Sequence, residues 1–594
     1  LGRLPLLGNY FKIALRKVRR QKAYSFINVA GLAVGLAACL MIMLWVKDEL
    51  SYDAYHEKAD RIYRLVESET IGGVSATFAV APFVSAPAFA SEIPEIETYA
   101  RLLVSSPLAI VEDSRFDLTR VYYTDPGFFH IFSHVFLTGD RETALDSPGS
   151  LVLTEETARK LFGRTDVVGK TVNFNNAVDL KVTAVVAAVP ANSHFRFNGL
   201  ASISTIAERP DIRPVMEDWF RITGWIYLLL KDRADRAAME AKMEAVTLEH
   251  AGDQLRQSGS SMAFRLQPLA DIHLRSRLEG EIDAVGDIRY VYVFSLIAAF
   301  ILVLACVNFM NLTTARSAGR GKEVGLRKVM GAGHGHLVLQ FLGESVLMTL
   351  LASSVAVALV TLALPSFNQL AGRAIGPASL FGADALLALV GLVLLTGFLG
   401  GSYPALFMSA FRPAVVLKGG LGRGLRRGSF RNALVIFQFS VSIVLLAGAL
   451  IVLSQTRYMK TRDLGFDKSE VLVVNVRDAT ARASAAALAE DIKSNPNIGE
   501  ATVTAGIPGR VNSSLVVEME GRSERDSFSA WTIWSDHDFA KTYGISIVHG
   551  RDFSRLFPSD ASGAFLVNET AARRMGWGAD AVGRKIGFDT ADRG

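Results

Sequence analysis

The sequence predicts a helical membrane protein that carries two α+β domains outside the bilayer. Three observations predict it. Five charge-free apolar stretches reach 20 residues or more, two long polar blocks separate and follow them, and Lys and Arg concentrate in one set of connecting segments. A hydrocarbon core of about 30 Å takes roughly 20 apolar residues as a helix, so each stretch is long enough to span.

The first stretch, 26–46, follows a segment (1–25) with seven Lys/Arg and no Asp or Glu. Basic flanks stay cytoplasmic, which puts the N-terminus inside. A cleavable signal is a poor alternative, because the apolar run continues into Lys47-Asp48-Glu49 without a small-residue cleavage site. The other stretches are 290–310, 345–364, 385–410 and 433–456. Alternating from a cytoplasmic start, the inside segments 1–25, 311–344 and 411–432 hold 7, 5 and 6 basic residues against one acid, Glu323, when Glu344 is counted with the third span. The chain totals only +5, so the rest is net acidic. The high isoelectric point therefore reflects membrane topology and implies no nucleic-acid partner. The polar blocks 47–289 and 457–594 fall outside, the first large enough for its own core. Cys39 and Cys306 both lie inside apolar stretches, where each reads as a small helix residue.

An internal repeat decides the architecture. Residues 152–174 align without a gap to 566–588 with seven identities, including Glu155/Glu569, Arg159/Arg573 and Gly169/Gly583. Upstream, Thr124-Asp125-Pro126-Gly127-Phe128 answers Ser535-Asp536-His537-Asp538-Phe539, and Gly139 answers Gly550. The expected unit is one span, an outside domain and three spans. The second unit is incomplete here, and the chain begins at Leu rather than Met, as a piece of a longer protein would.

Within the repeat the pattern is strand 150–153, Thr154 as N-cap, a helix over 155–162, a turn at 166–169 and strands over 170–174 and 178–189. A further strand, 225–230, leads into a helix from 233 to about 250. This is α+β, not a doubly wound parallel sheet. Gly163 to Thr171 imitates a phosphate-binding loop, but five residues separate the glycines and Arg164 stands at the position that should be Gly. The expectation is a turn with glycine at positive φ, and no ATPase in this chain. His130 and His134 lack a carboxylate at ligand spacing, so no metal site is expected. Glu344, at the inner end of the third span, is expected to cap or pair with a loop Arg. His334 and His336 are expected to face water or a partner.

Small residues mark helix packing: Gly31 and Gly35 form a G-x-x-x-G pattern in the first span. Pro404 is expected to break or kink the fourth. The spans hold almost no ionisable residues to line an aqueous path.

The most specific stretch is the basic, helix-prone loop from Ala315 to Ala332, centred on Lys322-Glu323-Val324-Gly325-Leu326-Arg327-Lys328. It resembles the signature that follows the second helix of MacB/FtsX-type ABC transporter permeases. Residues 9–28, the exit Phe411-Arg412-Pro413-Ala414-Val415-Val416-Leu417-Lys418, and the stretches 266–274 and 189–195 resemble other parts of that family. The resemblance implies a MacB-like periplasmic domain over 47–289 and an FtsX-like permease domain over 290–418. It also implies that residues 322–328 couple to a separate ATP-binding subunit, in two copies, which uses ATP and Mg while this chain binds no cofactor. Membrane lipid and an extracytoplasmic or outer-membrane partner complete the implied set. Three function classes follow: an ATP-driven permease subunit exporting or extracting a lipophilic or peptide substrate, an FtsX-like regulator of a cell-envelope enzyme, and a membrane receptor. No kinase or cyclase segment supports the third.

Overall fold

The computed structural model describes residues 22–71, 74–232, 234–317, 321–331, 333–409, 428–509, 514–519 and 528–588. The basic stretches 1–21 and 410–427 and part of the loop before Gly321 lie outside the described residues. Two compact units emerge, cut at Tyr52/Asp53, Val285/Gly286 and Lys460/Thr461.

The first unit is helical: α1 (Lys22–Leu50), α2 (Ile288–Ser317), α3 (Gly321–Val329), α4 (His334–Ala371), α5 (Ala383–Ser409) and α6 (Gly428–Thr461). All but α3 are long and apolar enough to cross a membrane. The helices outrun the apolar stretches because intrahelical hydrogen bonding continues into the polar flanks. Thus α4 starts at His334, and much of the inner connection expected as a loop is helical. Pro365 lies inside α4, and α5 continues past Pro404 to Ser409, so the expected break at Pro404 does not occur. Leu32, Leu36 and Leu40 of α1, Leu302, Ala305 and Phe309 of α2, Ala352 and Ala356 of α4 and Leu392 of α5 share one core.

Small residues set the approach of α1 to α2. A Cβ at Gly35 would stand 2.7 Å from the Ala305 Cβ, and one at Gly31 would stand 3.3 Å from Asn308 Nδ2. Without a hydrophobic drive between helices in lipid, close backbone packing of this kind supplies the dispersion contacts. The span of α6 contributes no buried residue to the bundle.

The second unit contains two soluble blocks. The first block is built on a 13-stranded mixed sheet. Its strands are β1 (Ile62–Ile71), β2 (Val74–Phe78), β3 (Ile96–Ser105), β4 (Leu108–Val111), β5 (Ser114–Asp117), β6 (Val121–Thr124), β7 (Phe136–Thr138), β8 (Ser150–Thr154), β9 (Thr171–Phe174), β10 (Val178–Val186), β11 (Gly199–Ser202), β12 (Trp225–Leu230) and β13 (Ser261–Pro268). The main path runs β13-β1-β12-β3-β6-β11-β8-β10-β9-β4-β5. Most pairs are antiparallel, while β8/β10 and β6/β11 are parallel. One apolar cluster, with Leu65, Phe83, Phe89, Leu228 and Phe264, includes residues of the helices Ser85–Glu92, Glu155–Phe162 and Arg236–Ser258. A second cluster, with Ile62, Phe128, Phe132, Phe195 and Tyr227, includes residues of the helices Phe128–Ile131 and Leu269–Arg275.

The local expectations meet the structure unevenly. Thr154 caps the helix Glu155–Phe162, its hydroxyl accepting from Thr157 N, and Gly163 closes it at φ 71°. Gly169 turns at φ 87°, so the phosphate-loop imitation is a pair of left-handed turns. The helix expected over 233–250 instead spans Arg236–Ser258, capped by the Asp235 side chain and by Gly259 at φ 63°. An interior glycine costs a helix about 1 kcal/mol, and the buried Ala251 and Leu255 around Gly252 offset it. The strand expected to reach 189 stops at Val186, after a register shift in its pairing with β7.

The second block has a small sheet of β14 (Ser514–Met519), β15 (Phe528–Trp531) and β16 (Ile586–Phe588), in the order β15-β14-β16. It repeats local geometry of the first. Asn568 caps the helix Glu569–Arg574 by accepting from Ala571 N, as Thr154 does 414 residues earlier. Gly583 and Gly550 turn at φ 84° and 85°, against 87° and 90° at Gly169 and Gly139. Asp125 Oδ2 accepts from Arg101 N at 2.8 Å and Asp536 Oδ2 from Val503 N at 2.8 Å. The pairing of Leu102 with Thr124 has its counterpart in Thr504 with Ser535.

Candidate functional site

The helix α3 carries the sequence-singled residues. Its nine residues end where Met330 N donates to Leu326 O at 3.0 Å and Gly331 turns at φ 94°. Apolar residues fall on more than one face, and packing decides their roles. Val324 is 2% exposed and packs with Leu337 and Phe341 of α4 and Ala405 of α5. It faces the bundle, whereas the resemblance implied coupling to an ATP-binding subunit for the whole stretch 322–328. Gly325 is buried beside it. Arg327 Nη1 donates to Gln340 Oε1 at 2.6 Å, and Gln340 Nε2 donates to Glu344 Oε1 at 3.2 Å. Glu344 thus joins a chain reaching Arg327 through Gln340. Lys328 Nζ donates to the Ser409 carbonyl at the end of α5.

The opposite face is bare. Leu326, Val329 and Met330 are 57%, 65% and 80% exposed, and their i, i+3, i+4 spacing puts them on one side of the helix. His334 and His336 are exposed at the start of α4. The side chains of Lys322 and Glu323 lie outside the described residues, as does that of Pro404.

A second polar cluster ties the other ends of the helices. Arg373, between α4 and α5, pairs with Glu49 of α1, which is 3% exposed, donates to Tyr52 Oη and lies over the Tyr52 ring. Lys47 pairs with Asp384 at 2.5 Å. In the sequence Arg373 is simply the one base between the third and fourth apolar stretches. Its pairing with residues more than 300 positions away leaves no local signal.

A third cluster sits in the first block. Asp53, itself at φ 58°, accepts from His194 N at 3.1 Å and from Ser193 Oγ at 3.2 Å. His194 Nδ1 stands 2.9 Å from Asp53 Oδ1, and its Nε2 is 2.7 Å from the buried Tyr227 hydroxyl. Burial pushes the Asp53 carboxyl up, but the charge and hydrogen bonds of His194, with the charge of His56, outweigh it and hold the group below its usual range. Burial pushes His56 down to about 4, and it pushes His134 down to about 3 with help from His56 and Arg141. His56 Nδ1 accepts from Ser133 N at 3.1 Å, which places the proton of the neutral ring on Nε2 and makes the ring a poor metal ligand. Among the described residues no group of three or more His, Cys, Asp or Glu is arranged to hold a metal ion.

The comparisons with known proteins fit this division. Residues 25–246 match the family described as MacB-like periplasmic core domain, and residues 295–413 match FtsX-like permease C-terminal. The chain carries a MacB-like periplasmic core domain followed by an FtsX-like permease domain. It is 25% identical over 276 residues to the macrolide export ATP-binding/permease protein MacB of Bdellovibrio bacteriovorus, covering 45% of this chain and 38% of that protein. It is 22% identical over 353 residues to YvrN of Bacillus subtilis, an uncharacterised ABC transporter permease, covering 57% of this chain and 83% of that one. A MacB protein of Burkholderia cenocepacia matches at 26% over 214 residues, 35% of this chain and 28% of its own length. The chain thus spans well under half of the MacB proteins it matches. Among solved structures, a domain of a putative permease from Porphyromonas gingivalis is 20% identical at a TM-score of 0.33, covering 40% of this chain and 98% of its own. The periplasmic region of MacB from Actinobacillus actinomycetemcomitans is 15% identical at 0.25, covering 34% of this chain and 88% of its own. At such scores these two likenesses decide nothing. In this chain the periplasmic-domain match begins in α1 and runs through most of the first soluble block, and the permease match begins inside α2 and runs past the end of α5.

Proposed function

We propose that this chain is the transmembrane subunit of an ATP-driven machine. A separate ATP-binding subunit, in two copies, docks on α3 and uses ATP and Mg. The helices pass its motion to the soluble blocks outside the cytoplasm, and the machine exports or extracts a lipophilic or peptide substrate. The observation that carries this reading is α3 itself. It presents Leu326, Val329 and Met330 outward, while Val324, Arg327 and Lys328 fix its back to α4 and α5. A small apolar anchor on a rigidly held element suits docking, because little ordering entropy is lost on contact. A push on α3 would reach α4 through packed side chains and α5 through the Lys328 bond.

The matching turns, caps and pairings of the two soluble blocks support an internal duplication, in which one chain supplies two outside domains. The basic segments favour a cytoplasmic N-terminus. Affinity purification in mild detergent tests the docking claim. Wild-type chain should bring down an ATP-binding subunit and Leu326→Asp should lose it, because the new carboxylate would be buried unpaired in the contact. Equal recovery of the ATPase by both would overturn the assignment.

A further inference from the structure

The two soluble blocks have separate apolar cores. The two large clusters draw only on the first block, and the cluster of Val517, Met519 and Met575 draws only on the second. Among the described residues, polar contacts between the blocks converge on two adjacent residues. Arg477 Nη1 donates to the carbonyls of Ser106 and Leu118 at 2.7 and 2.9 Å and stands 3.0 Å from Asp117 Oδ1. Asp478 Oδ2 accepts from Asn176 Nδ2 at 2.7 Å.

Both sides of this contact are prepared for it. On the first block, Ser106 and Leu118 form the neck of the β4–β5 hairpin, which is closed by Leu118 N donating to Pro107 O at 3.1 Å. The β9–β10 turn that carries Asn176 is fixed to β4 because Leu108 N donates to Asn175 Oδ1 at 2.8 Å. The result is a notch of two carbonyl dipoles and one carboxylate beside a side-chain amide. On the second block, Asp478 caps the helix Ala479–Ala483, its Oδ1 accepting from Ala481 N at 2.9 Å. That cap leaves Oδ2 aimed at Asn176. Arg482 Nη2 donates to the Arg477 carbonyl at 3.3 Å, steadying the backbone under the guanidinium. Arg477 is 17% exposed at its side chain, so it sits in the notch and not along the surface.

We propose that Arg477 and Asp478 form a polar clasp that docks the second soluble block onto the neck of the β4–β5 hairpin and the β9–β10 turn of the first. The notch is a recognition surface for an Arg-Asp pair at a helix start. A planar guanidinium suits several oxygen acceptors at once, and a lysine ammonium does not replace it. A small polar contact between separate cores is typical of domains that come apart and rejoin. This inference is independent of the ATP-driven reading, since it concerns one chain and needs no partner.

Disulfide trapping in the intact membrane chain tests it. Asn176→Cys and Asp478→Cys are introduced together, with Cys39 and Cys306 replaced by Ala and a protease site inserted between residues 411 and 427. After mild oxidation and cleavage, the two halves should stay joined on a non-reducing gel and separate with reductant. Adding Arg477→Glu should cut the joined fraction at least about fivefold, and Arg477→Lys should lower it as well. Asn173→Cys with Asp179→Cys, opposite each other on β9 and β10, reports that this region is folded. If that control pair closes while the 176/478 pair does not, the clasp is wrong. An undiminished joined fraction in Arg477→Glu also overturns it.

Discussion

His56 and His134 are held neutral at a cost that pH reveals. Their ring Nε2 atoms are buried without a hydrogen-bond partner, and their folded values fall to about 4 and about 3. The unfolded chain takes up these protons near pH 6.5. Below that pH the unfolded state binds more protons than the folded one, so stability falls as pH falls. The loss starts near 6.5 and ends only at the folded values, with a slope of about 1.4 kcal/mol per pH unit for each group. Thermal unfolding of the first block should therefore drop between pH 7 and pH 4.5. His134→Phe, beside Phe128, Phe129 and Phe197, should flatten the slope by about one proton. An unchanged slope would remove His134 from this role. At the other polar cluster, Arg373→Ala removes the guanidinium that pairs with the buried Glu49 carboxylate and should cost the bundle on the order of 3 kcal/mol. Glu49→Gln added to it should recover part of that loss, which a double-mutant cycle on unfolding would measure.

At the scale of elements, α3 separates two residues that the sequence could not. The run Glu323-Val324-Gly325-Leu326-Arg327-Lys328-Val329 has apolar positions on more than one helical face, and periodicity over nine residues does not say which face meets the bundle. Packing places Val324 inside and Leu326 outside. Val324→Asp should therefore lower the melting temperature of the bundle, whereas Leu326→Asp should leave it within about 0.5 kcal/mol of wild type and, on the proposed function, lose only ATPase docking. Equal destabilisation by both would contradict the placement. Gly31 and Gly35 marked α1 for close packing without naming α2 as its partner, and the glycines of α5 were not singled out. A Cβ at Gly400 would stand 2.5 Å from the Phe309 ring, and one at Gly401 would stand 2.6 Å from Ser345 Oγ. Overpacking by Gly35→Leu should cost about 1–3 kcal/mol, seen as a lower detergent-resistant melting temperature.

Across the whole molecule, legibility follows the physics that writes each feature. A bilayer constrains composition directly, so five candidate spans were visible as charge-free runs. A turn that needs positive φ leaves a glycine, so Gly163 and Gly169 could be read against their resemblance to a phosphate loop. The sheet order was not legible, because β1 meets β12 and β13 across more than 150 residues. The Asp53, His56, His134, His194 and Tyr227 cluster is invisible for the same reason. The central claim is that α3 faces the cytoplasm while both soluble blocks face out. Impermeant thiol labelling of intact spheroplasts tests it most directly, using single cysteines at the exposed Ser114, Ser562 and Val329 with Cys39 and Cys306 removed. The account predicts labelling at 114 and 562 and protection at 329 until the membrane is permeabilised. Labelling at 329 in intact cells, or protection at either 114 or 562, would contradict it.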